Sequence, residues 1–276
     1  MELLPICSMP RKPPRRVERA ARARNVRPAR RERVTLSEQD GVRFLHFGSP
    51  WVQGAMRIAR PFALELEYQQ QMMASALLLS QPQRIVQLGL GAGALTKFCW
   101  RHFPGASIVA VDISDAVIAA ARRWFKLPQD DARLTVSAAD AFEYIAAPAR
   151  RAGCDWLQVD LYDAKARGPV YDDVPFYRAC RRALARPGVA VFNLFGRSFE
   201  PSFAAIAAAF GDRALVLPEV DAGNRVVLAL NGPTLDVPFA VLDDAAARIQ
   251  AHLGLPAPRW VAGLRAENGF EHNLRV

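Results

Sequence analysis

The spacing of hydrophobic positions changes twice along this chain. Between residues 34 and 62 apolar side chains partly alternate (Val42, Phe44, then Trp51, and Met56, Ile58), with turn signals at Asp40-Gly41 and Gly48-Ser49-Pro50. Period two broken by turn residues predicts a small β-hairpin or meander. In "FALELEYQQQMMASALLL" the apolar residues Leu64, Tyr68, Met72 and Leu77 to Leu79 fall at helical spacing, which predicts one helix. From residue 84 short apolar runs alternate with amphipathic ones. "RIVQLGL", "SIVAVDI", "RLTVS", "DWLQVDL" and "GVAVFNLF" read as strands, and "ALTKFCWRHF", "DAVIAAARRWF" (capped by Ser114), "DAFEYIA", "VPFYRACRRALA" and "FAAIAAAF" as the helices between them. Only "EVDAGN" separates the last two strands, "ALVLP" and "RVVLAL", too little for a helical crossover, so that pair is expected to be antiparallel. The pattern predicts an α/β fold: a Rossmann-like, doubly wound sheet with an antiparallel last strand, preceded by a small β region. The expected organisation is a tail over 1–33, the β region over 34–62, the Rossmann-like domain over 63–235, and a C-terminal extension over 236–276 whose helix "LDDAAARIQAHLG" is followed by a Pro-Arg-Trp segment packing back.

Charge redraws one part of this picture. The 276 residues carry a formal net charge of +9. Residues 1–33 hold eleven Arg/Lys and three Glu, leaving 25 basic and 24 acidic residues for the rest, so the excess belongs to the tail. That Arg/Pro/Ala-rich tail has almost no large apolar residue and is expected to be disordered. Contact with nucleic acid or anionic lipid is one reading of it. A solubilising extension is favoured, because no aromatic residues interleave the arginines to stack on bases. The 51% hydrophobic content suffices for a packed core, and no apolar run reaches eighteen residues, so no membrane span is expected. The start of the chain is a poor secretory signal. Cys7, Cys99, Cys154 and Cys180 are scattered, with no Cys/His spacing that would hold a metal. A reducing, cytoplasmic setting follows as the expectation.

Candidate chemistry begins at Gly89, Gly91 and Gly93, a GxGxG between a strand and a helix, where glycines let the backbone approach a ligand. Asp112 ends the next strand, 23 residues after Gly89, where a carboxylate can accept both hydroxyls of a ribose. Asp140 follows the third strand and opens a helix. It could accept from an adenine amino group or serve simply as an N-cap. NAD and S-adenosylmethionine both fit such a loop, and the antiparallel last pair together with the strand-end Asp140 points to the second, hence to a Rossmann-like fold of the S-adenosylmethionine-methyltransferase type. Beyond the fourth strand comes "VDLYDAKARGP", with Asp160 and Asp163 three apart.

Four segments in order, "VQLGLGAGALTKF", "VAVDISDAVIAAARRWF", "SAADAFEYI" and "DWLQVDLYDAKARGPVYDDVPFY", resemble the spermidine/spermine synthases, the polyamine aminopropyltransferases. "WVQG" and "LEYQQQMM" are similar to family segments as well, and the likeness spans roughly residues 40–232. The resemblance implies decarboxylated S-adenosylmethionine as co-substrate, with no tightly bound cofactor and no metal. It implies a small diamine as acceptor and a homodimer. Residue by residue, Asp112 would hold the ribose and Asp140 would face the adenine. Gln53 and Gln69 would lie against the nucleoside or aminopropyl chain, and Tyr68 would wall the amine channel. Asp160 would be catalytic, and Asp163 would help hold the diamine. A carboxylate suits this chemistry, because the acceptor amine must shed a proton before it attacks the carbon beside the sulfonium.

Departures are equally specific. The family's loop carries an aspartate for the donor's terminal amine where this chain has Ala92. The usual "DSSDP" is "DLYDA", and the gate's Gly-Pro, present as Gly168-Pro169, falls two residues late behind the basic Lys165 and Arg167. A methyltransferase using S-adenosylmethionine on the same scaffold is the rival reading, favoured by Ala92 and opposed by the paired aspartates. A non-catalytic nucleoside-binding or nucleic-acid-associated protein is the third.

Overall fold

In the computed structural model, residues 34–163, 168–195, 199–220 and 222–276 are described. The expectations of a disordered, solubilising tail over 1–33, with nucleic-acid contact as its less favoured reading, and of a basic gate at Lys165 and Arg167 fall on residues outside them.

The alternating N-terminal stretch forms an antiparallel three-stranded meander: β1 (Val34–Gln39), β2 (Val42–Phe47) and β3 (Gly54–Arg57). A second sheet has seven strands: β4 (Arg84–Leu88), β5 (Ser107–Asp112), β6 (Leu134–Ala138), β7 (Cys154–Val159), β8 (Leu184–Phe195), β9 (Ala214–Val216) and β10 (Asn224–Asn231), in the order β6-β5-β4-β7-β8-β10-β9. The first five run parallel. β10 lies between β8 and β9 and is antiparallel to both, so the expected antiparallel pair is present and β10 also pairs with β8.

Period two decides how the sheet is covered. On β4, β7, β8 and β10, residues such as Ile85, Trp156, Val191 and Leu228 enter one core. Their neighbours Val86, Leu157, Phe192 and Val227 enter another. Strands apolar on both faces need helices on both faces. One face receives α2 (Ala94–His102), α7 (Phe239–Leu253) and α8 (Ala257–Glu267), and the other α4 (Ala141–Ala146), α5 (Val174–Ala183) and α6 (Phe199–Phe210). The Pro-Arg-Trp segment is the start of α8, with Trp260 buried in the first core. α3 (Asp115–Trp124) is capped as expected: Ser114 Oγ accepts from the Val117 N–H. β11 (Asp236–Pro238) and β12 (Asn273–Arg275) pair antiparallel near the chain's end.

The single helix expected across residues 62–79 is not what forms. The chain makes a five-residue helix, α1 (Glu67–Gln71), and then a 3-10 segment over Met72–Leu77. All six residues of that segment are buried. A segment enclosed on every side has no solvent face to keep in α-helical register, so tertiary packing overrides the period.

Crossovers from β4 run toward β5 and β6, and those from β7 run toward β8, so the strand order reverses between β4 and β7. Open α/β sheets bind ligands in the crevice at such a switch point, beyond the strands' C-terminal ends. Gly89 follows β4 and Asp160 follows β7, and the Asp160 N–H donates to the Leu88 carbonyl at 2.9 Å.

Candidate active site

Gly89 has a φ of +94°, and a Cβ there would overlap the carbonyl oxygen of Asp160. Glycine is required on both counts. The loop is covered from the meander side: a Cβ on Gly91 would stand 2.9 Å from the Gln53 carbonyl, and one on Gly54 would stand 2.7 Å from the Ala92 methyl. Ala92 is buried with Leu45, Met56 and Phe125.

Beyond β5 and β6, two acidic groups are held mainly by nearby backbone. Asp112 accepts from the Leu90 N–H at 3.0 Å and the Ser114 N–H at 2.9 Å. Burial pushes its carboxyl above the usual carboxylate range, against these N–H donors, which favour the charged form. Asp140 is the N-cap of α4: one oxygen accepts from the Phe142 and Glu143 N–H groups at 2.9 Å each. Its other oxygen accepts from the Tyr171 hydroxyl. Asp140 thus acts as an N-cap.

On the other side, Asp160 is held by side chains. The Tyr68 hydroxyl donates to Oδ2 at 3.2 Å and the Asn193 amide to Oδ1 at 2.8 Å. Gln69 Nε2 donates to Tyr68 Oη at 3.3 Å. Gln69 is buried, and its Oε1 has no hydrogen-bond partner among the described residues. Burial raises the Asp160 carboxyl above its ordinary range, opposed by the Asn193 and Tyr68 donors. Burial and the Asp160 charge hold the Tyr68 phenol protonated, hence a donor. Gln53 Nε2 donates to the Asp163 carbonyl at 3.3 Å, tying the meander to the segment after β7. Trp51, Phe195 and Tyr162 follow one another edge to face, with ring centroids 6.4 and 6.3 Å apart.

The profile of the O-methyltransferase domain matches residues 60–172. The polyamine aminopropyltransferase of Neisseria meningitidis (serogroup A) is 33% identical over 250 residues, 89% of this chain and 94% of that protein. This chain belongs to the polyamine aminopropyltransferases. A probable spermidine synthase from Corynebacterium glutamicum superposes with a TM-score of 0.65 at 18% identity, over 84% of this chain and 91% of that one. A spermidine synthase in complex with the transition-state analogue AdoDATO gives 0.60 at 20%, over 86% and 88%. Both likenesses carry the fold.

Within this aminopropyltransferase-family transferase, Tyr68, Gln69 and Asp160 meet directly, Gln53 meets Asp163 through its backbone, and Gly89 meets Asp160. Asp112 and Asp140 are bonded to their own surroundings instead, each at the end of its own strand on the same edge of the sheet. Phe176 and Tyr177, the aromatic pair after the gate, lie buried in the core beneath α4 to α6. Sequence reasoning missed Asn193. Its signal was a lone amide inside the apolar run "VAVFNLF", since a polar residue buried in a strand needs a partner. Cys99, Cys154 and Cys180 are free and buried. Among the described residues no group of His, Cys, Asp or Glu could hold a metal ion, and no helix is long and apolar enough to cross a membrane.

Proposed function

We propose that this transferase moves an aminopropyl group from decarboxylated S-adenosylmethionine to a small diamine, and that Asp160 holds and deprotonates the attacking amine. The observation that carries the reading is the placement of Asp160 at the switch point, against the glycine loop, between two donors that favour its charged form.

In this mechanism Asp112 accepts the ribose hydroxyls with the lone pairs left free by Leu90 and Ser114, and Asp140 and the Phe142 side of α4 border the adenine. Gln69 Oε1, buried and unpartnered, accepts an N–H of the incoming amine. The amine nitrogen forms a bond to the propyl carbon beside the sulfonium. The carbon–sulfur bond breaks, its electron pair stays on sulfur, and methylthioadenosine leaves uncharged. Before attack the charged amine gives one proton to Asp160, whose raised proton affinity brings it closer to that of the amine; the lone pair so freed makes the new bond, and the product nitrogen carries the positive charge that sulfur loses. Gln53 and Asp163 receive the acceptor's far end. Holding two reactants in line supplies much of the rate.

Asp160→Asn is expected to lower turnover by about 10²- to 10⁴-fold while calorimetric affinity for methylthioadenosine is unchanged. Near-normal turnover of a panel of α,ω-diamines in that variant would refute the assignment. Ala92 favours a second reading, methyl transfer from S-adenosylmethionine, since the loop lacks a carboxylate for the donor's amine. Calorimetry with both donors separates the two: tighter binding of the decarboxylated form supports aminopropyl transfer, and tighter binding of the carboxylated form supports methyl transfer.

A further inference from the structure

Behind Asp160 stands a second amide, Asn224. Asn193 sits in β8 opposite Val226, and Asn224 opens β10 opposite Phe195, so the two are diagonal neighbours on one face of the antiparallel pair. Both are buried, at 3% and 7% exposure. Asn224 Nδ2 donates to Asn193 Oδ1 at 3.0 Å, Asn193 Nδ2 donates to Asp160 Oδ1 at 2.8 Å, and Tyr162 Oη donates to the Asn193 carbonyl at 2.8 Å.

An amide side chain has one accepting end and one donating end. With Oδ1 of Asn193 taken by a donor, its NH2 has to face Asp160. The reversed amide would set two acceptors against each other at Asp160 and two donors against each other at Asn224. We infer that Asn224 is a positioning residue: acting through Asn193, it fixes the amide in the orientation that donates to Asp160 and so favours the charged carboxylate that accepts the amine's proton. The inference rests on the proposed role of Asp160 for its effect on catalysis, and on the hydrogen-bond chain alone for its effect on Asp160's proton affinity.

Two readouts separate these. Carbon-13 NMR titration of the Asp160 carboxyl needs no substrate. Asn193→Ala is expected to move its midpoint to higher pH, Asn224→Ala to move it the same way by less, and the double variant to match Asn193→Ala, because Asn224 acts only through Asn193. In kinetics with the diamine panel, the acid limb of kcat/KM moves with the NMR midpoint, and kcat falls about tenfold or more in Asn193→Ala. Affinity for methylthioadenosine stays within about twofold in each. Should Asn193→Ala fail to fold, Asn224→Asp against Asn224→Ala gives the same answer: the aspartate replaces a donor with an acceptor and is expected to shift the midpoint further. An unmoved midpoint in the Asn224 variants, or a double variant whose shift is the sum of the singles, overturns the inference. If Asp160→Asn stays active while the Asn224 variants shift the midpoint, the catalytic reading fails and the positioning role stands.

Discussion

The two sides of the switch point are built differently. On the proposed nucleoside side, Asp112 and Asp140 accept mostly from backbone N–H groups no more than 22 residues away, three of the four only two or three away, with the Tyr171 side chain, 31 residues on, as a further donor to Asp140. On the amine side, Asp160 is held by Tyr68, 92 residues before it, and Asn193, 33 residues after it. Local backbone contacts come with the strand–loop–helix unit itself. Side-chain contacts between distant segments exist only once the whole sheet has closed. One side is thus largely a property of supersecondary structure, and the other a property of the finished fold.

The sharpest way to break this comparison is at Gly89, where the two sides touch. Gly89→Ala adds left-handed strain of ~1–2 kcal/mol and overpacking of ~1–3 kcal/mol. Chemical denaturation should show a loss of about 3 kcal/mol, and an unchanged midpoint would mean that the loop and Asp160 are not locked together. Next comes Tyr68→Phe, which removes a donor from a charged acceptor, worth ~1.5–3 kcal/mol. It should cut kcat by ~10-fold or more and carry the acid limb of the pH profile upward, because the ionised Asp160 loses support. A fall in kcat with a stationary limb would place Tyr68 outside the relay.

On the nucleoside side the same treatment should change stability and leave that limb in place. Lys97 on α2 is buried and donates to the Phe125 carbonyl at 2.7 Å, and burial lowers its pKa to about 7. Between pH 7 and the unfolded value of ~10.4, the unfolded chain binds more protons than the folded one. Stability therefore rises with pH across that window, by at most about 1.4 kcal/mol per unit. Lys97→Met should flatten the slope in urea titrations at several pH values; an identical slope would show that Lys97 is not its source. The smallest effect is expected from Ser114→Ala, which removes the cap of α3 at ~1 kcal/mol, read as a lower Tm with kcat preserved. A kcat loss there would show that the nucleoside side depends on more than its local frame.

The same contrast explains what could be read from the chain. The order of strands and helices, the antiparallel close, the glycine loop and Asp112 all follow from spacing within about thirty residues. Ser114 as a cap was legible for the same reason. The second partner of Asp140 was not, because Tyr171, which donates to its other oxygen, sits 31 residues on. Asn193 and Asn224 carry no motif, and their pairing depends on the register of β8 with β10. The break of the expected helix at Met72 likewise reflects enclosure by distant segments. Asp160 and Asp163 stood out as a pair after the fourth strand and had their expected roles from family likeness, whereas the partners of Asp160 came only from the folded chain.

Ala92 ties the chemistry of the glycine loop to the packing of the meander. Position 54 already lacks a side chain, and β3 still lies directly on the Ala92 methyl, with Leu45, Met56 and Phe125 around it. An aspartate at 92, as in the family's usual loop, would enter an apolar enclosure as an unpaired charge, a penalty of several kcal/mol. A carboxylate at position 92 is therefore incompatible with this packing unless the meander moves away from the loop, so the chemistry the loop can offer a ligand is set in part by a sheet that lies outside the Rossmann-like domain.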